Sequence, residues 1–167
     1  MNYQEIRVLL DYHYWARDRM FDAVEKLSPQ QYKEDLHNSF RSIHDTLVHV
    51  YAAESVWCSR WHGESPGALS SAGVFADFNA LRTAWAAHET KMRTFLESLG
   101  ASGVERVIEY KSFAGQPSKQ PYWQMLQHVV NHASYHRGQV TTMIRQLNAT
   151  PPASMDLITY YRVHGST

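Results

Sequence analysis

Cysteine is nearly missing from this chain: Cys58 is the sole one in 167 residues. A single thiol excludes an intrachain disulfide framework and any zinc or iron–sulfur site built from several cysteines. It fits a reducing compartment. Charge of one sign is also missing. Sixteen Lys and Arg balance sixteen Asp and Glu, so no phosphate-tracking surface is expected and nucleic acid is excluded as the expected partner. No apolar run reaches the roughly 18 residues that cross a bilayer, and Met1-Asn2-Tyr3-Gln4-Glu5 lacks the basic-then-apolar layout of a secretory leader. The expectation is a soluble cytoplasmic protein with no membrane partner. No internal repeat or low-complexity tract is visible, and the length suits one domain over residues 1–167 with a core of its own.

Four long segments have helical periodicity. The first spans residues 3–27, with Ile6, Leu10, Tyr14, Met20, Phe21 and Val24 near one side, and Ser28-Pro29 ends it. The second starts after Ser39 or Ser42, carries Ile43, Leu47, Val50, Tyr51 and Trp57, and breaks at Gly63 and Pro66. Residues 63–73 have turn chemistry and no apolar face. The third covers residues 75–99, with Gly100 as the C′ residue. Residues 104–110 alternate as a short strand, and Phe113-Ala114-Gly115-Gln116 reads as the turn or return of a small hairpin. Pro121 opens the fourth helix, which runs to Asn148 before Pro151-Pro152, and the tail Asp156-Leu157-Ile158-Thr159-Tyr160-Tyr161 adds one or two turns. The fold class expected is all-α: a four-helix bundle with a small β-hairpin or extended insertion before the last long helix.

What the chain has in excess is histidine, ten in all. His132 and His136 stand four apart in the fourth helix, about 40° around its axis and roughly one turn along it, so both imidazoles can converge on one point. His128 extends the stripe one turn back but is less well placed to share their ion. A divalent site needs a third ligand from another helix, and His49 is the best candidate, since it sits mid-helix among Leu47, Val48 and Val50. Each histidine also has a plainer reading: His49 as a core residue bonded to a carbonyl or carboxylate, His128 as a polar residue at the bundle end. His44 points elsewhere, and His13, His37, His62, His88 and His164 read as solvated or ordinary packing residues. As a triad, His49, His132 and His136 leave open coordination positions for water or substrate, which is the mark of a catalytic metal. The chain has no His-Glu-x-x-His helix and no repeated Glu-x-x-His pairs, so neither a metalloprotease nor a di-iron oxygenase is expected.

The run from Pro121-Tyr122-Trp123 through His128-Val129-Val130-Asn131-His132-Ala133-Ser134-Tyr135-His136-Arg137-Gly138-Gln139 resembles the C-terminal helix of the DinB family of metal-dependent bundle proteins. Ser42-Ile43-His44-Asp45-Thr46-Leu47-Val48-His49-Val50, followed by Glu54 and Trp57, resembles its second-helix motif. Tyr110 with Gly115 resembles its hairpin, and Pro151-Pro152 with residues 156–162 its tail, so the resemblance spans nearly the whole chain. It implies a four-helix bundle joined differently from a simple up-down series, and often a homodimer. It implies that His49, His132 and His136 are the three ligands of a divalent metal ion, usually nickel or zinc. It further implies a thiol-dependent transferase or isomerase acting on a small-molecule substrate, with a low-molecular-weight thiol as cosubstrate. A metal-dependent hydrolase on the same site and a non-catalytic metal- or ligand-binding stress protein are the alternatives.

Arg137 is the candidate catalytic residue, with a guanidinium fork suited to a substrate carboxylate. Its alternative is a salt bridge to the helix carrying Glu54 or Asp45. Gly138 reads as a close-approach position. Gln139 and Asn131 read either as partners that orient ligand imidazoles or as surface residues. Cys58 has no cationic neighbour in sequence and reads as a packing residue.

Overall fold

The computed structural model describes residues 1–69 and 71–165, with the backbone alone at residue 72. Helix α1 (Tyr3–Val24) begins in a capping box: Asn2 accepts from the Glu5 N–H, and the Glu5 carboxylate accepts from the Asn2 N–H. Ser28-Pro29 ends that segment and also starts another helix, because proline at a first helical position gives up no hydrogen bond. The short α2 (Pro29–Lys33) that results was not expected from the sequence. Ser42 caps α3 (Ile43–Trp61) by accepting from the Asp45 N–H. Asp77 caps α4 (Phe78–Gly103) in the same way through the Ala80 N–H, so that helix begins three residues later than its apolar pattern suggested. Gly100, at φ 62°, breaks the regular helix where a C′ glycine was expected, and one further turn follows.

Strand β1 (Val107–Lys111) pairs antiparallel with β2 (Pro117–Pro121), with Tyr110 opposite Ser118, and Gly115 takes φ 76° in the connecting turn. Helix α5 (Tyr122–Gln146) follows directly from β2, and α6 (Leu157–His164) closes the described chain. No helix among the described residues is long and apolar enough to cross a membrane.

Helices α1 and α3 each pack along both α4 and α5, which makes α1 and α3 a diagonal pair although they are the first two long helices. This is the departure from a simple up-down series that the resemblance implied. Apolar faces meet in one cluster, in which Ile6, Ile43, Leu47, Leu81, Trp85, Tyr122, Leu126, Val140 and Ile144 are all fully shielded. Each fully buried Leu or Ile stabilises such a core by about 1.5–3 kcal/mol.

A polar hub crosses this core. The Glu54 carboxylate on α3 accepts from the Tyr14 hydroxyl at 2.7 Å and the Trp85 indole at 3.0 Å, lies 3.0 Å from His13 Nε2 and stands 3.6 Å from His88 Nε2. Burial alone would raise its pKa, yet His13, His88 and the tyrosine hydroxyl hold it down at about 2. His13 and His88 are therefore buried partners of a carboxylate, not solvated side chains.

Candidate metal centre

Helical spacing brings the three histidines together where α3 and α5 pack. His132 and His136 are four residues apart on α5, and His49 comes from the face of α3 turned toward it. His132 Nε2 lies 3.1 Å from both His49 Nε2 and His136 Nε2, and one nitrogen from each ring falls within 4.8 Å of the others. An ion about 2.1 Å from each nitrogen would need spacings of roughly 3.0–3.4 Å between them.

Protonation supports the same fit. The Gln139 side-chain carbonyl oxygen lies 2.7 Å from His136 Nδ1, so that nitrogen donates and Nε2 of the neutral ring presents a bare lone pair. A single proton on His132 Nε2 cannot bridge to both His49 Nε2 and His136 Nε2 along two straight hydrogen bonds. A cation facing all three nitrogens can. Burial, with the nearby His136 charge second, lowers the His49 pKa to about 4, and burial with the neighbouring imidazoles does the same for His132. Burial also lowers His136, against the opposing Gln139 hydrogen bond. All three rings are neutral at neutral pH, the form in which an imidazole can coordinate a metal.

Phe40, in the segment before α3, stacks on His49 at 4.0 Å between centroids and meets His136 edge-on at 5.5 Å. No sequence motif marked it. On the other side His49 and His132 line a cavity of about 370 Å³ that runs under the hairpin past Trp57 and Tyr110. His128 lines this cavity too, its ring centroid 6.0 Å from that of His132, and stays outside the cluster of three.

The remaining sequence candidates separate. Arg137 turns away from the three histidines toward α1, where it bonds the Tyr12 and Ser134 hydroxyls and lines a different cavity beside residues 152–157. It makes no ion pair with Glu54 or Asp45, and the Glu54 charge reaches it only at a distance. Gly138 is exposed with open space where a Cβ would stand, so the expected close approach is absent: the neighbouring surface is a groove and not a helix. Asn131 is exposed. His44 bonds the Tyr32 hydroxyl. Cys58 is buried, and burial pushes its thiol up to about 11.

The sequence profile of the DinB family matches residues 1–164. The chain belongs to the DinB family. Protein DinB of Bacillus subtilis (strain 168) is 30% identical over 151 residues, covering 83% of each chain. The crystal structure of a DinB-like protein from Bacillus cereus ATCC 10987 superposes with a TM-score of 0.58 over 87% of this chain and 95% of that one. At 20% identity that likeness speaks for the shared fold alone. The three-histidine cluster of this DinB chain is close enough to hold a metal ion.

Proposed function

We propose that this DinB-family chain binds nickel or zinc through His49, His132 and His136 and is a metal-dependent enzyme of the thiol-dependent transferase or isomerase class. The observation that carries the reading is the convergence of three neutral imidazole nitrogens, two of them on residues that line a cavity large enough for a small molecule. A purely structural ion would need a closed fourth position, and no Cys, Asp or Glu joins the cluster among the described residues. When bound, a divalent ion at such a site lowers the pKa of a thiol or a water enough to give a nucleophile at neutral pH.

The chain's own groups supply the rest. Gln139 fixes the ring orientation and tautomer of His136, and Phe40 holds the His49 ring flat against one wall. Cys58, buried and with its pKa raised to about 11, is no nucleophile, which favours a low-molecular-weight thiol as the cosubstrate. Arg137 ties α5 to Tyr12 on α1 and stands outside the histidine cavity, so its role is in holding the bundle together. The resemblance also supports a homodimer, which sedimentation analysis tests.

Metal analysis of protein produced with nickel or zinc tests the reading. About one ion per chain is expected, and no bound ion under either supplement would overturn it. Activity that rises with added thiol separates this reading from a hydrolase on the same site, whose turnover needs no thiol.

A further inference from the structure

Among the described residues three arginines are buried, and two of them have oxygen partners for their guanidinium. Arg17 pairs with Asp18 and Glu89, and Arg137 bonds two hydroxyls. Arg60, on the last turn of α3, is only 5% exposed, and its Nε–H has no acceptor. No carboxylate pairs with it among the described residues. Instead its guanidinium carbon lies 4.7 Å from the Trp57 ring and 5.0 Å from each of the Tyr110 and Phe113 rings. These rings attract the cation, but none of them is a conventional acceptor for its Nε–H, which stays without a partner. Burial accordingly pulls its pKa below the ordinary guanidinium value.

Arg60 lines the same cavity of about 370 Å³ as His49 and His132, and no acidic residue lines it. Arg60 is the one permanently charged group on that wall, and the rest is mainly aromatic or aliphatic. A partly desolvated guanidinium set among aromatic rings, with no carboxylate of its own, favours a planar anion that can take two parallel N–H bonds. We propose that this cavity binds a small substrate bearing a carboxylate: Arg60 pairs the carboxylate, Trp57 and Phe113 flank the flat apolar body, and the other end reaches toward His132. Only the direction of that reacting end rests on the three-histidine reading. Recognition of the carboxylate by Arg60 stands without it.

The test is an NMR titration of the Arg60 Nε–H and Trp57 indole signals with sodium benzoate, and with benzamide as its neutral counterpart, on metal-free and zinc-supplemented protein. Benzoate is expected to shift both signals saturably and to bind roughly tenfold or more tightly than benzamide. Arg60→Gln should weaken benzoate by at least about tenfold while the metal content stays that of the parent. Arg60→Lys, which keeps charge and most packing, should still weaken it several-fold because the fork is lost, and it decides the matter if Arg60→Gln fails to fold. Equal affinity for benzoate and benzamide, no saturable shift with benzoate, or unchanged benzoate affinity in Arg60→Lys would each overturn the proposal. His136→Ala separates the two readings, since His136 belongs to the cluster but does not line the cavity: it should keep benzoate binding after losing metal. Benzoate binding to a wild-type protein that takes up no ion would refute the metal reading and leave this one standing.

Discussion

Gln139 reaches back one helical turn to hold His136: its side-chain carbonyl oxygen accepts from Nδ1 at 2.7 Å, which leaves Nε2 directed at His132. The hydrogen bond is local to α5, yet it fixes the direction of one of three lone pairs in the cluster. Replacing Gln139 with Ala should therefore weaken metal affinity by about 10–100-fold, the usual cost of losing such a support, without preventing folding. Competition with a chromophoric chelator measures this, and an affinity within twofold of wild type would refute it.

His132 stands between the other two histidines of the cluster, and on the proposed reading its removal should abolish tight metal binding. The metal-loaded wild type should melt at a higher temperature than the metal-free protein, by a margin that grows with ion concentration, because ligands on α3 and α5 stabilise only the folded state. His132→Ala should melt at one temperature with or without added nickel or zinc. Calorimetric scans across a series of metal concentrations check both outcomes.

Acidity should act on the metal-free protein in a defined direction. His49 and His132 titrate at about 4 in the folded chain, against the ordinary 6.5 when unfolded. As pH falls the unfolded chain takes up these protons first. The stability they contribute is therefore complete above about 6.5 and is lost progressively toward about 4. Melting temperature recorded from pH 7 to 4 should decline over that window and decline less in His132→Ala. Glu54, lowered from 4.5 to about 2, adds its own loss further into acid.

The Glu54 hub should matter for stability more than for metal. Glu54→Ala leaves His13, Tyr14 and Trp85 without their shared acceptor in a sealed core, a change worth roughly 3–5 kcal/mol. Urea denaturation measures it. A loss below about 1 kcal/mol would show that the core repacks around the gap.

Arg137→Ala should lower stability and leave metal stoichiometry at the wild-type level, since the side chain bonds Tyr12 and Ser134 and lines a cavity other than that of the three histidines. Loss of the ion on this substitution would show that the link to α1 also fixes His136.

Local periodicity made the long helices and the His132–His136 pair legible, because both depend on spacing within one segment. The cap at Asp77 and the short helix after Pro29 were harder to read, since neither is announced by an apolar stripe. Arg137 shows the limit of adjacency: one residue beyond His136 turns the side chain about 100° around the helix and carries it to α1. The Glu54 hub was hidden for a different reason. Its partners lie 31 to 41 residues away on two other helices, and the diagonal relation of α1 and α3 that joins them is a property of the whole bundle. Arg60 was passed over because its three rings come from α3 and from the hairpin, which meet only in the folded chain.

Helix α3 carries His49 on one side and Glu54 on another, five residues on and about 140° around the axis. The first faces α5 across the histidine cluster and the second faces α1 and α4 across the core. Two bearings at that angle set the helix's rotation as two pins set a wheel on its shaft. A residue inserted between them would swing one group by about 100° relative to the other, so the five-residue interval can be neither lengthened nor shortened while both stay engaged.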